Sequence, residues 1–134
     1  MENRPSGDWR RGHSRLFTVL AVDNDLAALR VLHLVLGGIG FVYLEARTAD
    51  EAIQLAAGSV DPVDMFLVDA DLPGMSSRDL TERIRSAWPS VKVLYMVSRP
   101  SSAAGLHPDD VLWKPLAASV VLDIVTQAWS HRDY

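Results

Sequence analysis

The sequence predicts an α/β fold, a parallel sheet covered by helices on both faces. Short β-rich apolar runs alternate along the chain with segments whose apolar residues recur at helical spacing, which is how a parallel sheet with helical crossovers reads. The run Met65-Phe66-Leu67-Val68 is the clearest strand: it is too short for a helix and is followed by the turn-forming pair Pro73-Gly74. The length, 134 residues, suits one domain with a single core and not two.

In chain order, residues 1 to 14 mix Arg4, Arg10 and Arg11 with Pro5, Gly7 and Gly12, and Arg15 follows. This composition predicts a flexible leader ahead of a domain over 15–134. Leu16 to Val22 is the first strand and ends in Asp23-Asn24-Asp25. Leu29, Leu32, Val35 and Leu36 are spaced as the inner face of a helix over Leu26 to Leu36, closed by Gly37-Gly38. Phe41 to Ala46 is the second strand. Thr48 and Asp50 offer caps to a helix through Ala57, which Gly58 stops. Asp64 to Val68 is the third strand. Ser77 to Ala87 is the third helix, ended at Trp88 because a residue before proline is pushed out of helical geometry. Val91 to Val97 and Val111 to Trp113 are the last two strands. Ala117 to Trp129 is the final helix, with Val121, Ile124, Val125 and Ala128 on one face. Five strands of this kind fit a flavodoxin-like, doubly wound sheet in the order 2-1-3-4-5, an order adopted by analogy of fold because periodicity does not encode it.

One connection breaks the pattern. A strand of about five residues spans roughly 17 Å, and a helix rising ~1.5 Å per residue needs about eleven residues to return that far. Residues 99 to 109 contain Pro100, Gly105 and Pro108, so they cannot all be helical. The fourth helix is therefore expected to be a single turn near Ser101 to Leu106, or missing.

Composition narrows the function. The chain is 49% hydrophobic and 22% charged, with a net charge of -4 and no cysteine. It is thus expected to be an ordinary soluble globule without a nucleic-acid footprint, a disulfide framework, a thiolate metal site or a catalytic thiol. No apolar run has the length of a membrane span and the first residues do not form a signal peptide, so a cytoplasmic location is the default expectation.

The strand ends carry the chemistry. Asp23, Asn24 and Asp25 follow the first strand, Asp69 the third, Ser98 the fourth and Lys114 the fifth. In a parallel sheet these carboxyl ends share one edge, where α/β proteins keep their ligands. Crowded carboxylates repel unless a hard cation neutralises them. Mg²⁺ suits such a place because it accepts one or two carboxylates, keeps several waters and favours phosphate oxygens. A lysine and a hydroxyl alongside would stabilise an incoming phosphoryl group, and a carboxylate can itself be the nucleophile, forming an aspartyl phosphate.

With these residues in view, the chain resembles the receiver domain of two-component response regulators (CheY-like) over roughly Leu16 to Trp129. Val22-Asp23-Asn24-Asp25 matches the acidic turn, Leu67-Val68-Asp69-Ala70-Asp71-Leu72-Pro73-Gly74-Met75 the phosphoacceptor segment, Val97-Ser98 the switch hydroxyl, and Trp113-Lys114-Pro115 the lysine before its proline. The resemblance implies phosphorylation of Asp69 by a histidine kinase, a phosphotransfer protein or a small phosphodonor. It also implies Mg²⁺ held by Asp23, Asn24, Asp69 and the backbone carbonyl of Asp71, a phosphoryl group hydrogen-bonded by Ser98, and Lys114 paired with the phosphoryl or the free carboxylate. As a phosphorelay component the chain would act on a downstream protein target. A second copy of the chain is a further candidate partner, and enzymatic activity would be limited to slow self-phosphorylation and dephosphorylation.

Four departures stand out. Asn24 replaces the second acid of the family's pair, which removes a charge from the metal site. Val111 stands where many receivers carry a tyrosine or phenylalanine, so ring rotation coupled to Ser98 is absent. The short 99–109 connection removes surface that many receivers use for partners. Arg99 replaces a small residue and is placed to cover the site or hold a phosphate.

Plainer roles compete with these. Asp25 or Asn24 can simply cap the following helix, the Asp71 side chain can be a turn former, and Asp109-Asp110 a solvated turn. His13, His33, His107 and His131 are too scattered for a metal site, and Trp88, Trp113 and Trp129 read as packing residues. Two other functions remain open. One is a pseudo-receiver, which keeps the fold as a phosphorylation-independent protein-binding module. The other is a phosphatase of haloacid-dehalogenase type, because Asp69-Ala70-Asp71 resembles that family's Asp-x-Asp nucleophile motif.

Overall fold

A computed structural model of the chain describes residues 16–37 and 40–130. The elements run β1 (Thr18–Val22), α1 (Leu26–Leu36), β2 (Val42–Ala46), α2 (Ala49–Gly58), β3 (Met65–Asp69), α3 (Ser77–Ala87), β4 (Lys92–Val97), β5 (Val111–Trp113) and α4 (Ala118–Ser130). The five strands form one sheet in the order β2-β1-β3-β4-β5, and every neighbouring pair is parallel. This is the flavodoxin-like order expected. The leader, Gly38 and the last four residues lie outside the described residues.

Side-chain alternation along the strands divides the core in two. Val19, Ala21, Met65, Leu67, Leu94, Met96 and Leu112 face Leu29, Leu32 and Leu36 of α1 and Val121 and Val125 of α4. Leu20, Val22, Phe66, Val68, Val93, Tyr95 and Val97 face Ala52 and Ala56 of α2 and Leu80 and Ile84 of α3. β1 and β3 are buried throughout, as central strands of a sheet covered on both sides must be.

The helices begin on the side chains their sequences offer. Asp25 caps α1 through Ala27 N–H at 3.0 Å. At α2 the Thr48 hydroxyl accepts from Glu51 N–H (3.1 Å), which satisfies one orphan donor of the helix, while the Glu51 carboxylate accepts from the N–H of Arg47, the residue before the cap (2.7 Å). Ser76 caps α3 through Asp79 N–H. Trp88 ends α3 and packs against the α2/α3 side of the core.

Several boundaries move by one or two residues, each for a local reason. β1 begins at Thr18 because Leu16 is exposed, whereas Thr18 is the first residue in register with β2. β2 begins at Val42, whose N–H bonds the Phe17 carbonyl. β3 starts one residue later than expected: Asp64 turns its carboxylate back onto Thr18 N–H at 2.8 Å. At its other end β3 gains Asp69, which pairs with Met96. β4 starts at Lys92, also a residue later. Gly58 is the last residue of α2 and not its stop; Ser59 closes the helix through the Ala56 carbonyl. α4 is shifted by one residue, with the Ala117 carbonyl accepting its first bond, from Val121 N–H. Trp113 is also not the packing residue expected, since half its surface is exposed, while the Trp129 ring meets Phe41 edge-on at 5.9 Å.

The β4–β5 connection has no α-helix. A 3₁₀ turn at Pro100–Ala103 and a second at Pro108–Asp110 span it, as the proline spacing requires. Ala103, Leu106 and Val111 cover this end of the α2/α3 core, and Asp110 lies 3.5 Å from Lys92. Among the described residues no helix is long and apolar enough to cross a membrane.

Phe66 is wholly buried in the central strand. Phe66→Ala is expected to lower stability by about 3–5 kcal/mol, the cost of lost transfer energy plus a cavity, as read by urea unfolding. A loss below about 1 kcal/mol would mean that this face of the sheet is not close-packed.

Candidate functional site

Register brings the polar strand ends together. Val22 pairs with Val68, so Asp23 and Asp69 leave β1 and β3 side by side, and this is the point where the strand order reverses. Open α/β sheets bind ligands at that position. Val97 pairs with Trp113, and Lys114 N–H bonds the Val97 carbonyl at 2.8 Å, which sets Lys114 next to the end of β4. The Lys114–Pro115 peptide is cis.

Asp23 is fully buried and Asp69 nearly so. Lys114 Nζ lies 2.6 Å from Asp23 Oδ2, 3.6 Å from Asp69 Oδ1 and 3.8 Å from Asp25 Oδ2. The ammonium is thus shared among three carboxylates and is closest to Asp23. Backbone donors add to this: Asp25 N–H bonds Asp23 Oδ1 at 2.9 Å, and Asp71 N–H bonds at 3.1 Å the same Asp69 Oδ1 that Lys114 approaches. Asp23 Oδ2 is buried, and the Lys114 ammonium is the group that meets it.

Burial pushes the Asp23 carboxyl up to about 6 against the pull of the Lys114 ammonium and the Asp25 amide, and the Asp69 charge adds to the rise. For Lys114, burial works toward a lower value, but the Asp23 hydrogen bond and the charges of Asp23, Asp69 and Asp25 outweigh it and hold the amine above its ordinary range. These shifts follow from placing two carboxylates in a low-dielectric edge with one cation between them.

Other expected site residues lie around this cluster in different settings. Ser98 and Asn24 are exposed at the ends of β4 and β1. Asp25 has a double part, as the cap of α1 and the outermost contact of Lys114. Val111 is half-buried against the α2/α3 core. Gly74 has φ of 88° in the turn after β3, a left-handed conformation that favours glycine. Among the described residues, no three His, Cys, Asp or Glu side chains are grouped to hold a metal. The edge offers two carboxylates, an amide and a backbone carbonyl, all hard oxygen donors.

The Asp71 side chain is more than a turn former, which sequence reasoning did not foresee. Its Oδ1 and Oδ2 each accept from Ser102 Oγ at 2.8 Å, and Arg99 Nη2 donates to Oδ1 at 3.2 Å. The Ser102 hydrogen bond above all, with the Arg99 hydrogen bond and charge adding to it, holds the Asp71 carboxyl below its ordinary value against burial, which works the other way. These bonds join the loop after β3 to the connection after β4. No motif announces such a pairing, because its members come from two loops of irregular spacing.

Comparison with known proteins gives a consistent match. The family pattern described as response regulator receiver domain covers residues 19–126. The response regulator protein FleR of Pseudomonas aeruginosa is 32% identical over 116 residues, 81% of this chain and 24% of FleR. A cyclic di-GMP phosphodiesterase of Thermotoga maritima is 28% identical over 120 residues, 86% of this chain and 32% of the enzyme. The chain therefore spans about a quarter to a third of these relatives. Among solved structures, the signal receiver domain of an HD domain-containing protein from Pseudomonas fluorescens Pf-5 superposes with a TM-score of 0.72 at 27% identity, covering 87% of this chain and 89% of that one. A CheY-like receiver domain from Methanospirillum hungatei superposes with the same score at 21% identity, covering 87% and 95%.

The raised value of Asp23 has a consequence for stability. The folded protein holds this proton more tightly than the unfolded chain, so the favourable contribution is complete below 3.8 and is lost as pH rises through about 6. In metal-free buffer, urea unfolding between pH 4 and 7 is expected to show this fall, and Asp23→Asn to flatten it. A variant with the wild-type pH slope would place the titration elsewhere.

Proposed function

Since the chain belongs to the response regulator receiver domain family, we propose that it is a phosphoacceptor signalling switch in which Asp69 takes up a phosphoryl group in a Mg²⁺-dependent step. The observation that carries this reading is the buried Asp23–Lys114–Asp69 cluster at the reversal point of the sheet. An ammonium fixed 3.6 Å from the Asp69 carboxylate is suited to receive the negative charge that arrives with a phosphoryl group.

The donor set fits Mg²⁺. Asp23, Asn24, Asp69 and the backbone carbonyl of Asp71 would hold it, all of them the hard oxygen donors that the ion takes. When bound, the ion neutralises the acidic edge and the phosphoryl oxygens. In the transfer, an Asp69 carboxylate oxygen attacks phosphorus. The new P–O bond forms as the bond from phosphorus to the donor breaks, P–O in an acyl phosphate or P–N in a phosphohistidine. That bond's electron pair leaves with the carboxylate or the imidazole. Lys114 pairs with the free Asp69 carboxylate before the transfer or with the phosphoryl oxygens after it, and Ser98 donates its hydroxyl to the phosphoryl.

A histidine kinase or phosphotransfer protein is the proposed donor, a downstream protein the target and the cytoplasm the location. The engagement of Asp71 by Ser102 and Arg99 supports a receiver over a phosphatase of Asp-x-Asp type, whose second acid must be free to donate a proton. Asn24 and Val111 favour the pseudo-receiver as the second reading.

Intact mass after incubation with Mg²⁺ and acetyl phosphate separates the two. The expected result is one phosphoryl adduct, lost in Asp69→Asn and when the metal is chelated. No adduct at high Mg²⁺ would favour the pseudo-receiver, and steady hydrolysis of phosphate esters abolished by Asp71→Asn would favour the phosphatase.

A further inference from the structure

The side chain of Asp71 ties together two segments that flank the site, the loop after β3 and the connection after β4. Its backbone N–H bonds the Asp69 carboxylate at 3.1 Å, and its carboxylate holds Ser102 and Arg99. One hydrogen bond and one short side chain thus separate the Arg99 guanidinium from the proposed nucleophile. Arg99 directly follows Ser98, and Ser102 lies in the Pro100–Ala103 turn that replaces a helix in this connection.

We propose that Asp71, Arg99 and Ser102 form a latch, and that phosphorylation of Asp69 draws Arg99 from Asp71 to the phosphoryl group, loosening the turn that carries Ser102. The inference rests on the phosphoacceptor reading above. It gives the domain a readout built from an ion pair, in a chain whose Val111 has no ring to rotate.

Competition for one guanidinium drives the exchange. In the resting state Arg99 makes a single contact with Asp71, and its side chain is 67% exposed, so little desolvation or packing holds it there. A phosphoryl group on Asp69 brings close to two negative charges and three acceptor oxygens, which the planar fork of arginine can engage in pairs. The same charge repels the Asp71 carboxylate. Asp71 then loses its cation and gains an unfavourable neighbour together, leaving the Ser102 hydrogen bond as its only tie. The turn has no regular helix to stabilise it and no wholly buried residue, so its position depends on that tie more than a helix would. Asp71 is therefore a positioning residue, acting through Arg99 and Ser102.

Amide hydrogen exchange of residues 101 to 106, measured on the full chain with occupancy read by intact mass, tests the proposal. Asp71→Asn in the unmodified protein is expected to speed exchange there by roughly two- to fivefold, the factor an exposed ion pair is worth. Phosphorylated wild type is expected to rise to the same level, Asp69→Asn treated identically to stay at the resting level, and Arg99→Gln to lose the phosphorylation-dependent rise. Unchanged exchange in Asp71→Asn overturns the latch. An adduct on Asp69 without a rise at 101 to 106 overturns the switch and leaves the phosphoacceptor reading intact. Failure to form any adduct overturns that reading, and the switch with it.

Discussion

A single ammonium lets two carboxylates occupy the buried end of this sheet. Asp23 and Asp69 leave neighbouring central strands in register, and the helices on both faces exclude water from them. Left without a cation, two buried carboxylates side by side would destabilise the fold. Lys114 reaches both from the far edge of the sheet, so the acidic edge depends on β5 being where it is. The order of the strands, the register between them and the approach of the 114 side chain are therefore one constraint, and the chemistry proposed for Asp69 inherits it.

Much of this was legible in the sequence, for a physical reason. Apolar runs that end abruptly in Asp, Ser or Lys mark strand ends, and parallel pairing sends all such ends to one edge. The missing fourth helix was legible too, because Pro100, Gly105 and Pro108 leave too few residues to climb back along a strand. The strand order itself came from analogy of fold, since a pattern of period two says where strands are and not which ones are neighbours. The misplaced boundaries reflect the same limit. Leu16 and Asp64 belong to their strands by composition, but one has no partner across the ladder and the other uses its side chain on a backbone amide.

The contacts of Asp71 were not legible. Three side chains meet from two loops, and loop conformation follows from the whole sheet and not from local spacing. Asp25 teaches a related lesson: its role as a cap is readable from the residue that precedes a helix, whereas its contact with Lys114 is a product of tertiary structure. In both cases one carboxylate satisfies a local backbone or loop need and a long-range charge. Local signals find the first use and are silent on the second.

β5 has only three residues and bonds to the sheet along one side. Little apolar area secures it, and the turns leading into it contribute no helix. Elements of this kind open at a lower free energy than the centre of a sheet. The lysine that follows β5 is thus a mooring: its attraction to the central carboxylates holds the outermost strand. Without that attraction only a three-residue ladder would hold the outermost strand, and the edge of the sheet would be the first part of the molecule to fray.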